Sequence, residues 1–244
     1  RAVADAIVQL HKERQQEWQE SLLRHFVKRS NPEKITNVDN ATLVAFTEAT
    51  RLRLKQGLNG YVDWFSETID QIEKAGKYYF LENEWSKIFN LLKKELGEEH
   101  PDTLTTRNNL AVQLGNLGKY EEAANEYRAV YEIRRKVLGE EHPDTLTTRA
   151  NLAGQLGRLG NYEEAAKELR AVYEIVRKEL GEEHPHTLAT QNNLAIQLGR
   201  LGNYEEAAKE FRAVYEIECK VLGEEHPSTL TTRNNLEFVL QKMK

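Results

Sequence analysis

Histidines recur at a fixed distance along this sequence, each preceded by two glutamates. His100, His142, His184 and His226 lie 42 residues apart, and His186 follows His184 closely. Imidazole and carboxylate groups are ligands of zinc, so a metal site is the first chemistry to consider. Ligands that lie one repeat apart, however, belong to neighbouring loops and not to one tight cluster. We therefore interpret each histidine as a loop residue bonded to nearby backbone or carboxylate, and we expect no metal and no cofactor.

The other reactive side chains do not predict catalysis. Pairs such as Glu98 and Glu99 stand in polar loops, and the sequence predicts no pocket around them in which an acid/base pair could work. Cys219 lies near Ile217 and Val221, which is typical of a half-buried structural thiol. The sequence contains no phosphate-binding loop, zinc-protease motif or dinucleotide-binding glycine pattern. We expect no catalytic residue and no enzyme activity.

Composition limits the class of partner. The 244 residues include 34 lysines and arginines against 39 acidic residues, a net charge of −5, and no long basic run. Because nucleic-acid affinity depends on clustered cations, we expect no nucleic-acid partner. No apolar stretch approaches the ~20 residues that span a bilayer, so we expect no membrane contact. A single cysteine cannot form an internal disulfide, which favours a reducing compartment such as the cytoplasm.

A repeat of 42 residues positions all of these side chains. The segment Leu-Gly-Glu-Glu-His-Pro occurs at residues 96–101, 138–143, 180–185 and 222–227. A period of this length indicates stacked supersecondary units, so any functional surface must be one that the stack creates.

Each unit carries two amphipathic helices, called helix A and helix B below. In the first unit, the apolar side chains of helix A are Leu104, Leu110, Ala111, Leu114 and Leu117, and those of helix B are Tyr120, Ala123, Ala124, Tyr127, Val130, Tyr131 and Ile133. Gly118 and Gly139 suit the left-handed backbone that ends a helix, and Asp102 or Thr103 is the expected N-cap. The sequence thus predicts an all-α chain. The predicted hairpins span 102–138, 144–180 and 186–222, and a closing helix spans 228–243.

The first part of the chain does not carry the repeat. It contains predicted amphipathic helices near 2–28 and 41–58. Extending the 42-residue repeat one period towards the N-terminus predicts two further helices near 60–75 and 78–96, where the repeat pattern is less complete. The predicted divisions are an N-terminal helical cap or remnant of a neighbouring domain (1–59), a degenerate first repeat (60–95), and three 42-residue repeats with the closing helix (96–244).

These residues point to a known family. The first unit resembles the tetratricopeptide repeat signature at Leu110, Ala111, Leu114, Gly118, Tyr120, Ala123 and Tyr127. The opening Leu-Gly-Glu-Glu-His-Pro-Asp-Thr-Leu is similar to the 42-residue repeats of kinesin light chains and their bacterial relatives. This resemblance implies a right-handed superhelical solenoid in which helix A lines a concave groove. In kinesin light chains an asparagine at the position of Asn108 contacts cargo peptides; here Ala150 interrupts that series.

The resemblance also implies which side chains to consider for peptide binding. The predicted set on helix A is Thr105, Asn108, Asn109, Val112, Asn116, Asn151, Arg158, Asn192, Asn193, Ile196, Arg200, Asn234, Asn235 and Phe238. Asparagine offers donors and an acceptor to an extended peptide backbone, and Arg158 and Arg200 favour a ligand with carboxylates. An alternative remains open for Asn109, Asn151, Asn193 and Asn235, which could instead bond between adjacent helices.

Two functions remain after these exclusions. One is a protein–protein interaction module that binds an extended, acidic peptide in the helix A groove. The other is a structural or sensor array from a larger STAND-type signalling NTPase, which the start at Arg1 and the unrelated residues 1–59 favour as context. The sequence names neither the ligand nor the oligomeric state.

Overall fold

The computed structural model describes residues 78–243, which fold into eight α-helices without a β-strand. The helices are α1 (Tyr78–Leu96), α2 (Pro101–Asn116), α3 (Tyr120–Leu138), α4 (Pro143–Arg158), α5 (Tyr162–Leu180), α6 (Pro185–Arg200), α7 (Tyr204–Val221) and α8 (Pro227–Lys242). Helix α1 belongs to one compact unit, and α2 to α8 form a second. None of the helices in residues 78–243 has the length and hydrophobicity needed to cross a membrane.

The predicted hairpins are confirmed to within one residue at each end. Helix A of the successive units is α2, α4 and α6, helix B is α3, α5 and α7, and α8 is the closing helix. From α2 to α8 each helix packs against the next one along the chain, and α4 and α8 also contact α6. These helices therefore form an all-α solenoid of antiparallel hairpins.

Helix α1 lies where the sequence predicts the second helix of a degenerate repeat. Its buried side chains Leu81, Trp85, Ile88 and Leu92 follow a helical spacing. The assignment of 60–95 to a repeat stays a prediction. The helices predicted near 2–28, 41–58 and 60–75 lie outside the described residues.

Small side chains bring the stacked helices close together. Ala111 in α2 and Ala165 in α5 have no exposed surface, and each belongs to a buried cluster that joins two units. The cluster comprises Ala111, Ala124, Tyr127, Leu152, Leu156 and Ala165. Because each unit completes its core with residues of the next, the units depend on their neighbours for stability.

Polar contacts fix helix A against helix B within each unit. Nε of Arg107 lies 2.6 Å from a carboxylate oxygen of Glu126, and Arg149 contacts Glu168 at the same distance one unit later. In the third unit, the amide of Gln191 donates to Glu210 at 2.7 Å. These contacts are only partly exposed and recur once per hairpin, so they help to set the pairing of the two helices.

The recurring histidines cap the helices that follow them. Nδ1 of His100, His142, His184 and His226 accepts a hydrogen bond from the backbone N–H of Asp102, Asp144, His186 and Ser228 at 3.2, 3.1, 3.1 and 3.2 Å. The structural interpretation of the histidines is confirmed. The N-cap expected at Asp102 or Thr103 is wrong, because proline occupies the first helical position and moves the cap to the preceding histidine.

Replacing His142 by alanine should therefore destabilise the array by about 1 kcal/mol, the usual effect of losing a side-chain N-cap. His142→Asn is the matched control, since asparagine also accepts from the second N–H of a helix. Urea unfolding measures both variants. An equal loss for alanine and asparagine would contradict the capping role.

Glutamine side chains fill the inner junctions between units. A Cβ atom built on Gly115 of α2 would lie 3.0 Å from the amide nitrogen of Gln155 in α4. One built on Gly157 of α4 would overlap the side chain of Gln197 in α6. Each glycine thus provides the space in which the glutamine of the next unit packs.

The last junction is built differently. Val239 of α8 replaces the glutamine, and a Cβ atom built on Gly199 would lie 3.6 Å from its Cγ2 atom, an ordinary contact. Glu237 takes the place of the buried alanine of earlier units and is largely exposed, 3.9 Å from Arg233. Helix α8 therefore presents charge where Ala111 and its counterparts present a packing surface.

Candidate functional site

All of the predicted groove side chains have access to solvent. They alternate with the buried positions of α2, α4, α6 and α8, so one face of each helix A remains open. The half-buried members are Thr105, Asn108, Asn109, Val112, Asn151, Asn192, Ile196 and Asn235, and the exposed members are Asn116, Arg158, Asn193, Arg200, Asn234 and Phe238. We call this set the helix A face.

The asparagines of the helix A face have unused hydrogen-bonding capacity. None of their side chains bonds to another group of the described protein, which holds also for the four that could have bridged adjacent helices. Oδ1 of Asn108 and of Asn192 is buried without a partner, whereas the Nδ2 donors are not buried. The amides at these two positions thus offer mainly N–H donors to a ligand.

The two arginines of the helix A face lack an acidic partner. Arg107 and Arg149 form salt bridges with helix B, as described above, but Arg158 and Arg200 have no carboxylate within 4 Å among the described residues. The guanidinium of Arg158 lies 5.4 Å from the ring centre of Tyr120, an arrangement in which the ring attracts the cation. The helix A face therefore carries positive charge that no carboxylate of the described residues neutralises.

Thr105 differs from the other members of the set because its hydroxyl accepts a hydrogen bond from a buried arginine. Arg134 of α3 donates to the hydroxyls of Thr105 and Thr148 at 3.4 and 2.8 Å and to the carbonyl of Asp144 at 3.1 Å. Burial lowers the pKa of the Arg134 guanidinium, and the charge of Asp144 partly opposes this effect. Thr105 thus helps to hold the first junction together.

A cleft opens on this face at the last junction. It has a volume of about 300 Å³ and lies between α6, α7 and α8. Its walls include four members of the predicted set, namely Ile196, Arg200, Asn235 and Phe238, together with Ala195, Gly199, Tyr204, Phe211 and Val239. The structure therefore brings an arginine, an amide and several apolar groups to one concave site.

Comparisons with known proteins agree with this architecture. Family models described as tetratricopeptide repeat match residues 103–144 and 149–218. The chain is also similar to the crystal structure of a candidate kinesin light chain from Podosopora anserina with nearly identical tetratricopeptide-like repeats, at 29% identity and a TM-score of 0.64. That match covers 80% of this chain and 87% of the other, and a single-substitution variant of that protein gives the same values. The chain therefore contains tetratricopeptide repeats and is similar to repeat proteins of the kinesin light chain type.

A more distant likeness supports the fold alone. BtubC (BKLC) from P. vanneervenii is 18% identical, with a TM-score of 0.60, and the match covers 96% of this chain and 84% of that one. The search of curated proteins found no match. Tetratricopeptide arrays are in general interaction scaffolds for proteins and not catalysts.

The other reactive groups of the described array are histidines, carboxylates and one cysteine. Within residues 78–243, no group of three His, Cys, Asp or Glu side chains is placed to hold a metal ion. Burial, with a smaller effect of His184, lowers the pKa of His186. Cys219 is half-buried, and its hydrogen bond is the largest cause that raises the pKa of Tyr215.

Sequence reasoning missed Tyr204 and Val239 as parts of the site. Tyr204 is the counterpart of Tyr120 in the third unit, and it is half-buried and lines the cleft. The replacement of the repeated glutamine by Val239 was visible in the aligned units. It was the one available signal for a cleft at that junction.

Proposed function

We propose that the helix A face of this tetratricopeptide array binds an extended, acidic peptide segment of a protein partner. The carrying observation is the charge imbalance on that face, where Arg158 and Arg200 have no carboxylate partner within the described protein. Pairing a carboxylate with an arginine gives a charge-assisted hydrogen bond, which contributes more than a neutral one. A ligand with acidic groups near both arginines supplies the charge that the array lacks.

The asparagines are suited to hold the backbone of such a peptide. With Oδ1 turned inwards at Asn108 and Asn192, the open Nδ2 groups donate to carbonyl oxygens of an extended chain. The contact is not sequence-specific, because every residue has a carbonyl. Ala150 stands at the corresponding position of the second unit, so the backbone contact is interrupted there.

Apolar contacts complete the surface. Val112, Ile196 and Phe238 occupy the same position in α2, α6 and the closing helix α8, and Phe238 is 58% exposed. At this position the second unit has Gly154, and a Cβ atom built on it would meet nothing within 4 Å. The second unit thus has an open space at the position where the neighbouring units have an apolar side chain. Arg158 lies four residues further along the same helix.

Selection from a random peptide display library tests the proposal. We expect the selected peptides to carry one or more aspartates or glutamates, and their binding to weaken as salt screens the charges. Isothermal titration of synthetic peptides, with each acidic residue replaced by its amide as a control, measures the contribution of charge. Selection of basic peptides, or equal affinity for acid and amide versions, would contradict the proposal.

The alternative, a sensor array within a STAND-type NTPase, concerns the host protein and stays a prediction. It is compatible with peptide binding as the mechanism by which an array senses its signal. Cytoplasmic localisation likewise stays a proposal, based on the single cysteine.

A further inference from the structure

One residue distinguishes the last junction, where the cleft lies, from the inner junctions. At the inner junctions the side chains of Gln155 and Gln197 lie over Gly115 and Gly157 and occupy the corresponding space. Val239 is shorter than glutamine and makes only an ordinary contact of 3.6 Å with a Cβ atom built on Gly199, and both residues line the cleft together with Ile196 and Phe238. The junction with the closing helix α8 thus lacks the glutamine side chain that fills the two inner junctions.

The walls of this cleft combine an apolar interior with one cation. Ile196, Phe211, Phe238 and Val239 supply aliphatic and aromatic surface. Arg200 has no carboxylate partner among the described residues. The side-chain amide of Asn235 makes no hydrogen bond to any of these residues either. A volume of about 300 Å³ lies at the lower end of the range for small-molecule sites, which runs from about 300 to 1,000 Å³.

We propose that this cleft binds a small organic acid, with an aromatic or branched aliphatic body and one carboxylate. The body occupies the space that glutamine fills at the inner junctions, against Val239 and Phe211. The carboxylate accepts hydrogen bonds from the guanidinium of Arg200, and Nδ2 of Asn235 is the second available donor.

Such a ligand would regulate the peptide groove, because Arg200 and Phe238 belong to both sites. Bound acid neutralises Arg200 and covers Phe238, so it competes with an acidic peptide at this end of the helix A face. The cleft proposal does not depend on peptide binding, since its observations are the missing glutamine and the unpaired arginine.

The test uses 3-phenylpropionate as the probe and 3-phenylpropanamide as its uncharged control. Methyl NMR of the full chain should show shifts at Ile196 and Val239 on titration with the acid. The amide should bind at least about tenfold more weakly, because a charge-assisted bond is lost. Arg200→Gln should lower the affinity for the acid by a similar factor without changing the unfolding midpoint, since Arg200 is exposed.

Two further variants separate filling of the cleft from general damage. Val239→Gln rebuilds the inner junction and should abolish binding of the probe, while Val239→Ala keeps the cleft open and should retain it. Circular dichroism and thermal unfolding confirm that both variants are folded. Binding of the acid to Val239→Gln with unchanged affinity, or absence of shifts at Ile196 and Val239, would overturn the proposal.

A last arm distinguishes a free acid from the end of a polypeptide. A tetrapeptide that ends in phenylalanine with a free carboxylate presents the same chemistry. If it binds and 3-phenylpropionate does not, the cleft belongs to a polypeptide terminus and the proposal is wrong. The proposed peptide binding is tested separately, because it is contradicted if the peptides selected by display are not acidic. Val239→Gln leaves Arg158 and Arg200 in place, so it removes the cleft without removing the charges proposed to bind the peptide.

Discussion

Gly157→Ala is expected to lower the free energy of unfolding by about 1–2 kcal/mol, although alanine is the better helix former. A Cβ atom at this position overlaps the amide end of Gln197, which is only 8% exposed, so this side chain must shift within a packed junction. Overpacking of this kind costs about 1–3 kcal/mol, and the gain in helix propensity of about 0.5–1 kcal/mol offsets part of it. Urea unfolding measures the difference, and hydrogen exchange should show it mainly in α4 and α6.

Matched variants at the other junctions make this prediction specific. Gly199→Ala should be neutral or stabilising, because its Cβ atom meets Val239 at an ordinary 3.6 Å. Gly115→Ala should fall between them, since the nearest atom of Gln155 lies at 3.0 Å. Adding Gln197→Val to Gly157→Ala should restore most of the lost stability. Equal destabilisation by all three glycine variants would show that the glutamines do not determine the effect.

The hairpins could be predicted from the sequence because every unit contains its own start and stop signals. Proline opens each helix A, and glycines with positive φ, such as Gly118 at 79° and Gly139 at 96°, end the helices. The same start and stop signals recur in three units, so helix boundaries that are ambiguous in one unit can be assigned from the other two. Only the cap residue was wrong, because histidine is an uncommon N-cap and Asp102 is a common one.

The contacts between units could not be predicted in the same way. Gln155 packs over Gly115, which is 40 positions earlier, and no local pattern connects the two residues. Arg134 shows the same limit, because its counterparts in later units are Val176 and Glu218 and its buried contacts depend on the packing of α3 on α4. Side-chain pairing across junctions depends on the curvature of the stack, which the period alone does not define.

The candidate site lies between these two cases. Helical periodicity placed its members correctly on the accessible face of helix A. It could not decide whether the asparagines bond to neighbouring helices, and in the described structure they do not. Nor could it show that Arg158 and Arg200 lack partners while Arg107 and Arg149 have them, because that difference depends on which arginines face helix B.

The double substitution Arg158→Glu with Arg200→Glu is expected to abolish binding of an acidic peptide, with a loss of at least about 100-fold. Each lost charge-assisted contact contributes about 1.5–3 kcal/mol, and the new glutamates add repulsion. Both arginines are exposed and make no salt bridge within the described residues, so the cost in stability should be limited to the Arg158–Tyr120 contact and to the unfavourable glutamates in the last helical turns, about 1 kcal/mol each or less. Titration of a display-selected peptide at two salt concentrations measures the effect.

The control for this variant is Arg128→Glu with Arg212→Glu, which changes the net charge by the same amount but on helix B. Arg128 and Arg212 occupy equivalent exposed positions in α3 and α7, away from the helix A face. Each pair changes the net charge of −5 by −4, to −9, so a loss caused only by overall repulsion would affect both variants alike. If the control binds as weakly as the groove variant, the arginines act through the overall field of the protein. If neither variant loses affinity, the peptide does not lie on the helix A face, and the acidic selection would have to be explained by another surface of the array.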